Sequence, residues 1–291
     1  MFPHQRCHLL LLALALGSSL PGCVPFRNWC GQRFSPAPPP CVLPDDATQA
    51  EVVNHLNENT KKIVSWRTTK ATIEPRGAGI LVRSVGAMIA VESPRNFRLI
   101  ATNPMTGGNE VDLGSNSEHF WFWNRRNEDR CVYQARHDQL PGGLRRFPIP
   151  FQPDWIMESL GVIEINPEEQ MTMQPGPAGS HTVLLVADRA SPEGFKVRKV
   201  TVVDLCHGVI REHALWDARS QLIARAVLTN YVADPKAAGA VIARKIDLEW
   251  PQAKLGMTMT LADIEVNPDR IPPRTWKVPD DIPNNPVRDM N

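Results

Sequence analysis

Met88-Ile89-Ala90-Val91-Glu92, Phe97-Arg98-Leu99-Ile100-Ala101-Thr102, Glu110-Val111-Asp112-Leu113 and His119-Phe120-Trp121-Phe122-Trp123-Asn124 follow one another with little between them but turn residues. Each run is too short for a stable helix and is rich in β-branched and aromatic residues. Asn103-Pro104, Thr106-Gly107-Gly108 and Gly114-Ser115-Asn116 punctuate the connections. Short apolar runs at this spacing predict an antiparallel meander in which sequential strands pair through tight turns.

Outward from this core the same texture continues. Upstream it predicts strands over Thr68–Ile73 and Gly79–Val85, and downstream over Arg130–Arg136. It resumes at Thr182–Ala187, Lys196–Leu205, Val209–Trp216, Gln221–Val232, Ala240–Trp250 and Met257–Val266. Ile246, Leu248 and Trp250 alternate with Asp247 and Glu249, the pattern of a sheet with one buried face and one wet face.

Two helices interrupt the strands. Thr48 with Glu51 forms a capping box, after which Val52, Val53, Leu56, Ile63 and Trp66 share one side of a helical wheel, so a helix is expected over Gln49–Val64. Asn54, Asn57, Asn59, Lys61 and Lys62 fall on its other side, which is read as facing water. Within Phe151–Gly161, Pro153 and Asp154 can start a second helix, Trp155, Ile156 and Leu160 give it an apolar face, and Gly161 can end it.

The N-terminal stretch carries an export signal. Arg6 precedes an apolar run over Leu9–Leu16, far short of the ~20 residues that span a bilayer, and small residues lead into Leu20-Pro21-Gly22-Cys23. That tetrapeptide resembles a bacterial lipobox at Leu20, Gly22 and Cys23, departing from the usual pattern at Pro21. The resemblance implies cleavage before Cys23 and covalent diacylglycerol and N-acyl lipid on its thiol; several acyl chains together hold a protein on a membrane essentially permanently. The expected organisation is therefore a signal peptide at 1–22, a lipidated cysteine and Pro-rich tether at 23–47, one domain at 48–278, and an irregular Pro-rich tail at 279–291. Pro36, Pro38, Pro39, Pro40 and Pro44 make the tether extended.

The formal net charge of +1 lacks the basic excess that phosphate-backbone binding needs, so no nucleic-acid partner is expected. In an exported setting Cys30, Cys41, Cys131 and Cys206 allow three pairings. Cys30 and Cys41 share one short segment and are the favoured disulfide, leaving Cys131 and Cys206 to pair or to remain as buried thiols. Zinc held by Cys206 with His207, or Cys131 with His137, lacks the usual ligand spacing, and no metal or other cofactor is expected beyond the lipid on Cys23.

Several of these segments together resemble the LolA/LolB-type lipoprotein carriers and receptors. The carrying residues are Ser93-Pro94-Arg95-Asn96-Phe97-Arg98, then Leu113-Gly114-Ser115-Asn116 ahead of Phe120-Trp121-Phe122-Trp123, and the closing Leu261-Ala262-Asp263-Ile264-Glu265-Val266-Asn267 with Ile271 and Trp276. The sequence departs from the family in having Gly114-Ser115-Asn116 in place of Asp-Gly, in a long middle section, and in its own anchor. The resemblance implies an α+β fold: an antiparallel β half-barrel whose concave face is covered by two or more helices, leaving an apolar cavity for acyl chains. The anchor argues for the receptor-like half.

No nucleophile elbow, zinc-protease motif, P-loop or dinucleotide fingerprint is present, and His119, His137, His181, His207 and His213 are scattered. The expected function is non-catalytic binding of a lipid or lipoprotein acyl chain by a membrane-anchored envelope protein facing the periplasm, with Trp121, Trp123, Met257, Met259 and Leu261 lining the cavity. The alternative is a filled barrel that binds another envelope protein; a hydrolase is a third class with no motif behind it.

Overall fold

The structure is a computed structural model and describes residues 41–77, 84–103, 105–126, 129–139, 153–190, 196–280, 282 and 286–290. The signal peptide, Cys23, Cys30 and most of the tether lie outside the described residues, as does nearly all of the strand expected over Gly79–Val85.

The first helix, α1 (Gln49–Thr60), starts on the expected capping box: Thr48 N donates to Glu51 Oε2 at 2.7 Å and Glu51 N donates to Thr48 Oγ1 at 3.3 Å. It ends four residues before the expected Val64. The reason is remote, since the Asn267 amide oxygen accepts from the backbone of Val64 (2.9 Å) and Ser65 (3.1 Å) while its Nδ2 donates to Lys62 O (2.7 Å). Those groups are thereby drawn from the helix ladder, and Trp66 lies on a strand instead.

Two meanders follow. The first runs β1 (Ser65–Gly77), β2 (Val85–Glu92), β3 (Asn96–Thr102), β4 (Asn109–Ser115), β5 (His119–Asn124) and β6 (Val132–Arg136). After the short helix α2 (Pro153–Ser159), the second runs β7 (Met171–Pro175), β8 (Thr182–Ala190), β9 (Lys196–Asp204), β10 (Val209–Asp217), β11 (Leu222–Asp234), β12 (Ala240–Trp250) and β13 (Leu255–Ala262). Each pairs its neighbour in antiparallel register, and β1 pairs β13, with Ile73 opposite Met259 and Ala71 opposite Leu261. That single pairing joins the two meanders into one open sheet with β7 at one edge.

Two strands were not legible, and the strand expected over Met257–Val266 is divided into β13 and a two-residue β14 (Glu265–Val266) paired with β1. β7 carries only partly buried methionines. β15 (Val287–Asp289) lies in the tail expected to be irregular; it adds in parallel to β6, Val287 opposite Val132.

One face of the sheet is covered by α2, whose Trp155, Ile156 and Met157 join Trp66, Phe120, Phe122, Leu248, Trp250 and Met259 in the main core. α1 packs Val52, Val53 and Leu56 against Val183, Leu185, Val203 and Leu205 at the β8–β9 end. The α+β half-barrel with helices on one face is thus the observed architecture.

Asn57 and Asn59, read from the sequence as facing water, do the opposite. Asn57 is buried and exchanges two 2.8 Å hydrogen bonds with the backbone of Ile165, and Asn59 does the same with Val241 at 2.7 and 2.9 Å. Each amide side chain pairs with a backbone as a neighbouring strand would, so the helix is stitched through its polar face to β12 and to the loop ahead of β7.

Candidate functional site

Strand parity decides which side chains can meet a ligand under the helices. On β5, Phe120 and Phe122 point into the main core beneath α2, whereas Trp121 and Trp123 point to the opposite face, where they pack with Val132, Val278 and Ile282. Met259 and Leu261 are buried on the helix-covered face and Met257 is half-buried against it. The five residues expected to line one cavity are therefore divided, and Trp121 and Trp123 are not part of the helix-covered site.

Their real setting is a clamp on the C-terminal segment. Trp121 Nε1 donates to Asp112 Oδ1 at 3.0 Å, and Arg98 grips the same buried carboxylate with two hydrogen bonds of 3.2 and 2.6 Å. The guanidinium lies 6.0 Å from the centre of the Trp121 ring and reaches on to Thr275 O at 3.2 Å. Asn116 Nδ2 donates to Trp276 O at 2.9 Å. Gly114 lies directly under the indole: a Cβ there would stand 2.1 Å from the ring, so only glycine leaves room. Arg98, Gly114, Asn116 and Trp121, the residues that carried the family resemblance, thus hold residues 271–280 across the back of the sheet. Between that segment and β1–β3 a cleft of about 720 Å³ remains, with Met88, Ala90 and Ile100 on its floor and Arg274 and Lys277 on its rim.

Among the described residues, the side chains beneath the helices pack against one another. A cavity of about 60 Å³ lies between α1, α2 and β10–β12, lined by Leu56, Ile63, Trp66, Leu160, His213 and Tyr231 among others. That is less than half the ~150 Å³ of an engineered apolar cavity that admits a benzene ring.

At the cavity's edge stands a buried charged cluster that no sequence motif announced. Glu158, on α2, meets Lys199 Nζ at 2.6 Å and Arg189 Nη1 at 2.6 Å, and Arg189 in turn forks onto Glu169. Burial alone would raise the Glu158 carboxyl, but the charges of Lys199 and Arg189 outweigh it and hold its pKa below the usual value. Burial depresses the Lys199 ammonium despite Glu158. His213, fully buried beside them, is pushed down to about 3, first by burial and then by Lys199, so it is neutral near pH 7. Its Nδ1 faces Thr201 Oγ1 at 3.0 Å, and its Nε2 has no hydrogen-bond partner among the described residues. The visible sequence signal was a lysine at an inward position of β9, between the buried Val197 and Thr201.

Ser115 and His137 stand within reach of each other without the arrangement of a nucleophile and its base. Ser115 Oγ is 3.2 Å from His137 Nε2, but the same nitrogen lies 2.9 Å from Asn116 O. Donating there leaves it no lone pair to take a proton from the serine. Arg136 and Asp138 pair with each other and stay exposed.

The disulfide is a correction. Cys41 is bonded to Cys206, 165 residues away, not to Cys30, and Cys131 is a buried free thiol.

The sequence matches no protein-family model and no curated protein. Its fold does have relatives among solved structures: a LolA superfamily protein from Nitrosomonas europaea superposes with a TM-score of 0.50 over 79% of this chain and 98% of its own, at 8% identity. The two chains share a fold. A DUF1329 family protein from Desulfovibrio piger (TM-score 0.49, 9% identity, 78% of this chain and 95% of its own) is also similar. So is a domain from Vibrio parahaemolyticus described as an outer membrane lipoprotein-sorting protein domain (0.49, 9%, 77% and 95%). In this half-barrel side chains converge on the helix-covered face and at the outer clamp, and no helix among the described residues is long and apolar enough to cross a membrane.

Proposed function

We propose that this is a non-catalytic binding protein of the bacterial envelope that takes up the acyl chain of a lipid or lipoprotein between α2 and the sheet. The observation that carries the reading is α2 itself. It is a seven-residue helix that covers an apolar, tryptophan-rich face of a LolA-type sheet with Trp155, Ile156 and Met157, and it has polar ties at Glu158 and at Asp154, which pairs with Arg95 at 3.0 Å. A helix that short contributes little stability of its own. Because the resident cavity is only about 60 Å³, uptake requires α2 to lift, exposing Phe120, Phe122 and Met259 to the chain in place of its own apolar side chains.

The small cavity also supports a second reading, in which the half-barrel is permanently filled and the outer face binds another envelope protein. A fluorescent fatty acid titrated into the delipidated domain separates them. Saturable uptake that is weakened by Phe122→Ala supports the acyl site; no uptake at any concentration leaves the filled barrel.

Anchoring belongs to the same proposal. Cys23, following Leu20-Pro21-Gly22, is the residue to be lipidated, placing the protein on a membrane, in this reading the outer membrane facing the periplasm. Cys23→Ala should abolish incorporation of labelled palmitate; label that persists on the variant refutes the anchor.

A further inference from the structure

The Cys41–Cys206 bridge has a third member. Residues 41–43 run along the end of β9, with Val42 N donating to Cys206 O at 3.1 Å and Leu43 N to Leu205 O at 3.0 Å. His181, just ahead of β8, is drawn to the same spot because its carbonyl accepts from Leu205 N at 2.9 Å. As a result a His181 ring nitrogen and the two sulfurs all lie within 4.8 Å of one another. His181 Nδ1 is 2.8 Å from Asp45 Oδ1, which leaves Nε2 as the nitrogen free to bind.

We propose that Cys41, Cys206 and His181 form a binding site for a zinc-class divalent cation when the disulfide is reduced. Two thiolates and one imidazole are the donor set that borderline and soft d¹⁰ ions select, with the fourth tetrahedral position open to water. A carboxylate on the far nitrogen of the histidine is the partner that metal-bound imidazoles generally have, since it fixes the tautomer and the ring orientation. Asp45 supplies it here. Tetrahedral coordination with Zn–S bonds of ~2.3 Å sets the sulfurs about 3.8 Å apart, so the metal and the disulfide exclude each other. His207, adjacent in sequence to Cys206, is not among the residues whose ligand atoms cluster there.

The chemistry is a balanced exchange. A dithiol reductant gives two electrons and two protons, closing to its own disulfide while the Cys41–Cys206 bond opens to two thiols. Coordination then releases both thiol protons to solvent. The bridge and the metal are alternative closures of the same long loop, so each would hold the 41–43 segment in place.

The test uses the full chain, reduced with a phosphine that is then removed under nitrogen, and titrated with Co²⁺ as a spectroscopic stand-in for Zn²⁺. One equivalent should bind with a thiolate-to-cobalt charge-transfer band that Zn²⁺ abolishes, and the oxidised protein should show no such band. Asp45→Asn should weaken binding by ~10- to 100-fold, as loss of an outer partner of a ligating histidine does. His181→Asn, which tolerates the left-handed backbone at φ +50, should weaken it at least as much, and Cys206→Ser should remove the band. A reduced protein without the band, or a band of undiminished affinity in His181→Asn or Cys206→Ser, overturns the proposal.

Discussion

Glu158 on α2 and Lys199 on β9 meet at 2.6 Å inside the protein, both side chains nearly without solvent contact, and Arg189 closes on the same carboxylate from the other side. Desolvating these charges is costly, and only their mutual attraction compensates. The pair therefore acts as a latch that is tight when complete and destabilising when broken.

Removing one partner should show this directly. Lys199→Met leaves the Glu158 carboxylate buried with Arg189 alone, and urea unfolding should register a loss of about 3–5 kcal/mol. Glu158→Leu combined with Lys199→Met should recover much of it, since an apolar pair carries no unpaired charge. If the latch holds α2 down, Glu158→Gln should also raise uptake of a fatty-acid probe; unchanged uptake alongside lower stability would mean that α2 does not gate the site.

His213 makes stability depend on pH in a defined direction. Burial, with Lys199 and Arg189 nearby and Glu158 opposing them, lowers its folded pKa to about 3, while the unfolded chain titrates near the ordinary ~6.5. Between those values the unfolded state holds one more proton, so stability is complete above about pH 6.5 and falls as the pH drops toward 3, by up to ~1.4 kcal/mol per pH unit. The denaturant midpoint of His213→Gln minus that of wild type, followed from pH 7 to 4, should grow less negative or become positive as the pH falls, because the variant lacks this titrating group.

The outer clamp predicts an unusual sensitivity at a glycine. Gly114→Ala forces a methyl against the Trp121 ring at 2.1 Å, and the indole cannot move without breaking its bond to Asp112. A loss of at least 1–3 kcal/mol is expected, as for overpacking elsewhere. Trp121→Ala should cost about 3–5 kcal/mol. Both variants should free residues 271–280 to tryptic cleavage at Arg274 and Lys277 while leaving fatty-acid uptake unchanged, since the clamp lies on the other face. Loss of uptake without loss of stability would place Trp121 in the ligand site after all.

The long-range bridge should matter for stability as well. Cross-linking residues 165 apart removes loop entropy worth ~5 kcal/mol at most, by the chain-entropy relation. Cys206→Ser should lower the thermal midpoint under oxidising conditions, whereas Cys131→Ser should change disulfide content not at all. Non-reducing peptide mapping checks the pairing: a Cys30–Cys41 peptide would contradict the fold.

Local periodicity by itself determined most of the architecture. Runs such as Phe97–Thr102 and Ala240–Trp250 alternate or cluster in a way that only a half-buried strand accommodates, and the Thr48–Glu51 capping box starts a helix through bonds between near neighbours. The same period-2 pattern established that Phe120 and Phe122 oppose Trp121 and Trp123. It could not say which pair faces the helices, because alternation is symmetric between the two sides of a sheet. That choice was made by the segment that returns from residues 271–280 to cover the tryptophans and by α2 arriving over the phenylalanines. The Asn267 cap that ends α1, the Asn57 and Asn59 stitches, the Glu158–Lys199 latch and the Cys41–Cys206 bridge share that origin. Each joins residues far apart in the chain, and a polar side chain or thiol shows in its own neighbourhood only that it needs a partner, while the folded chain alone brings one within reach.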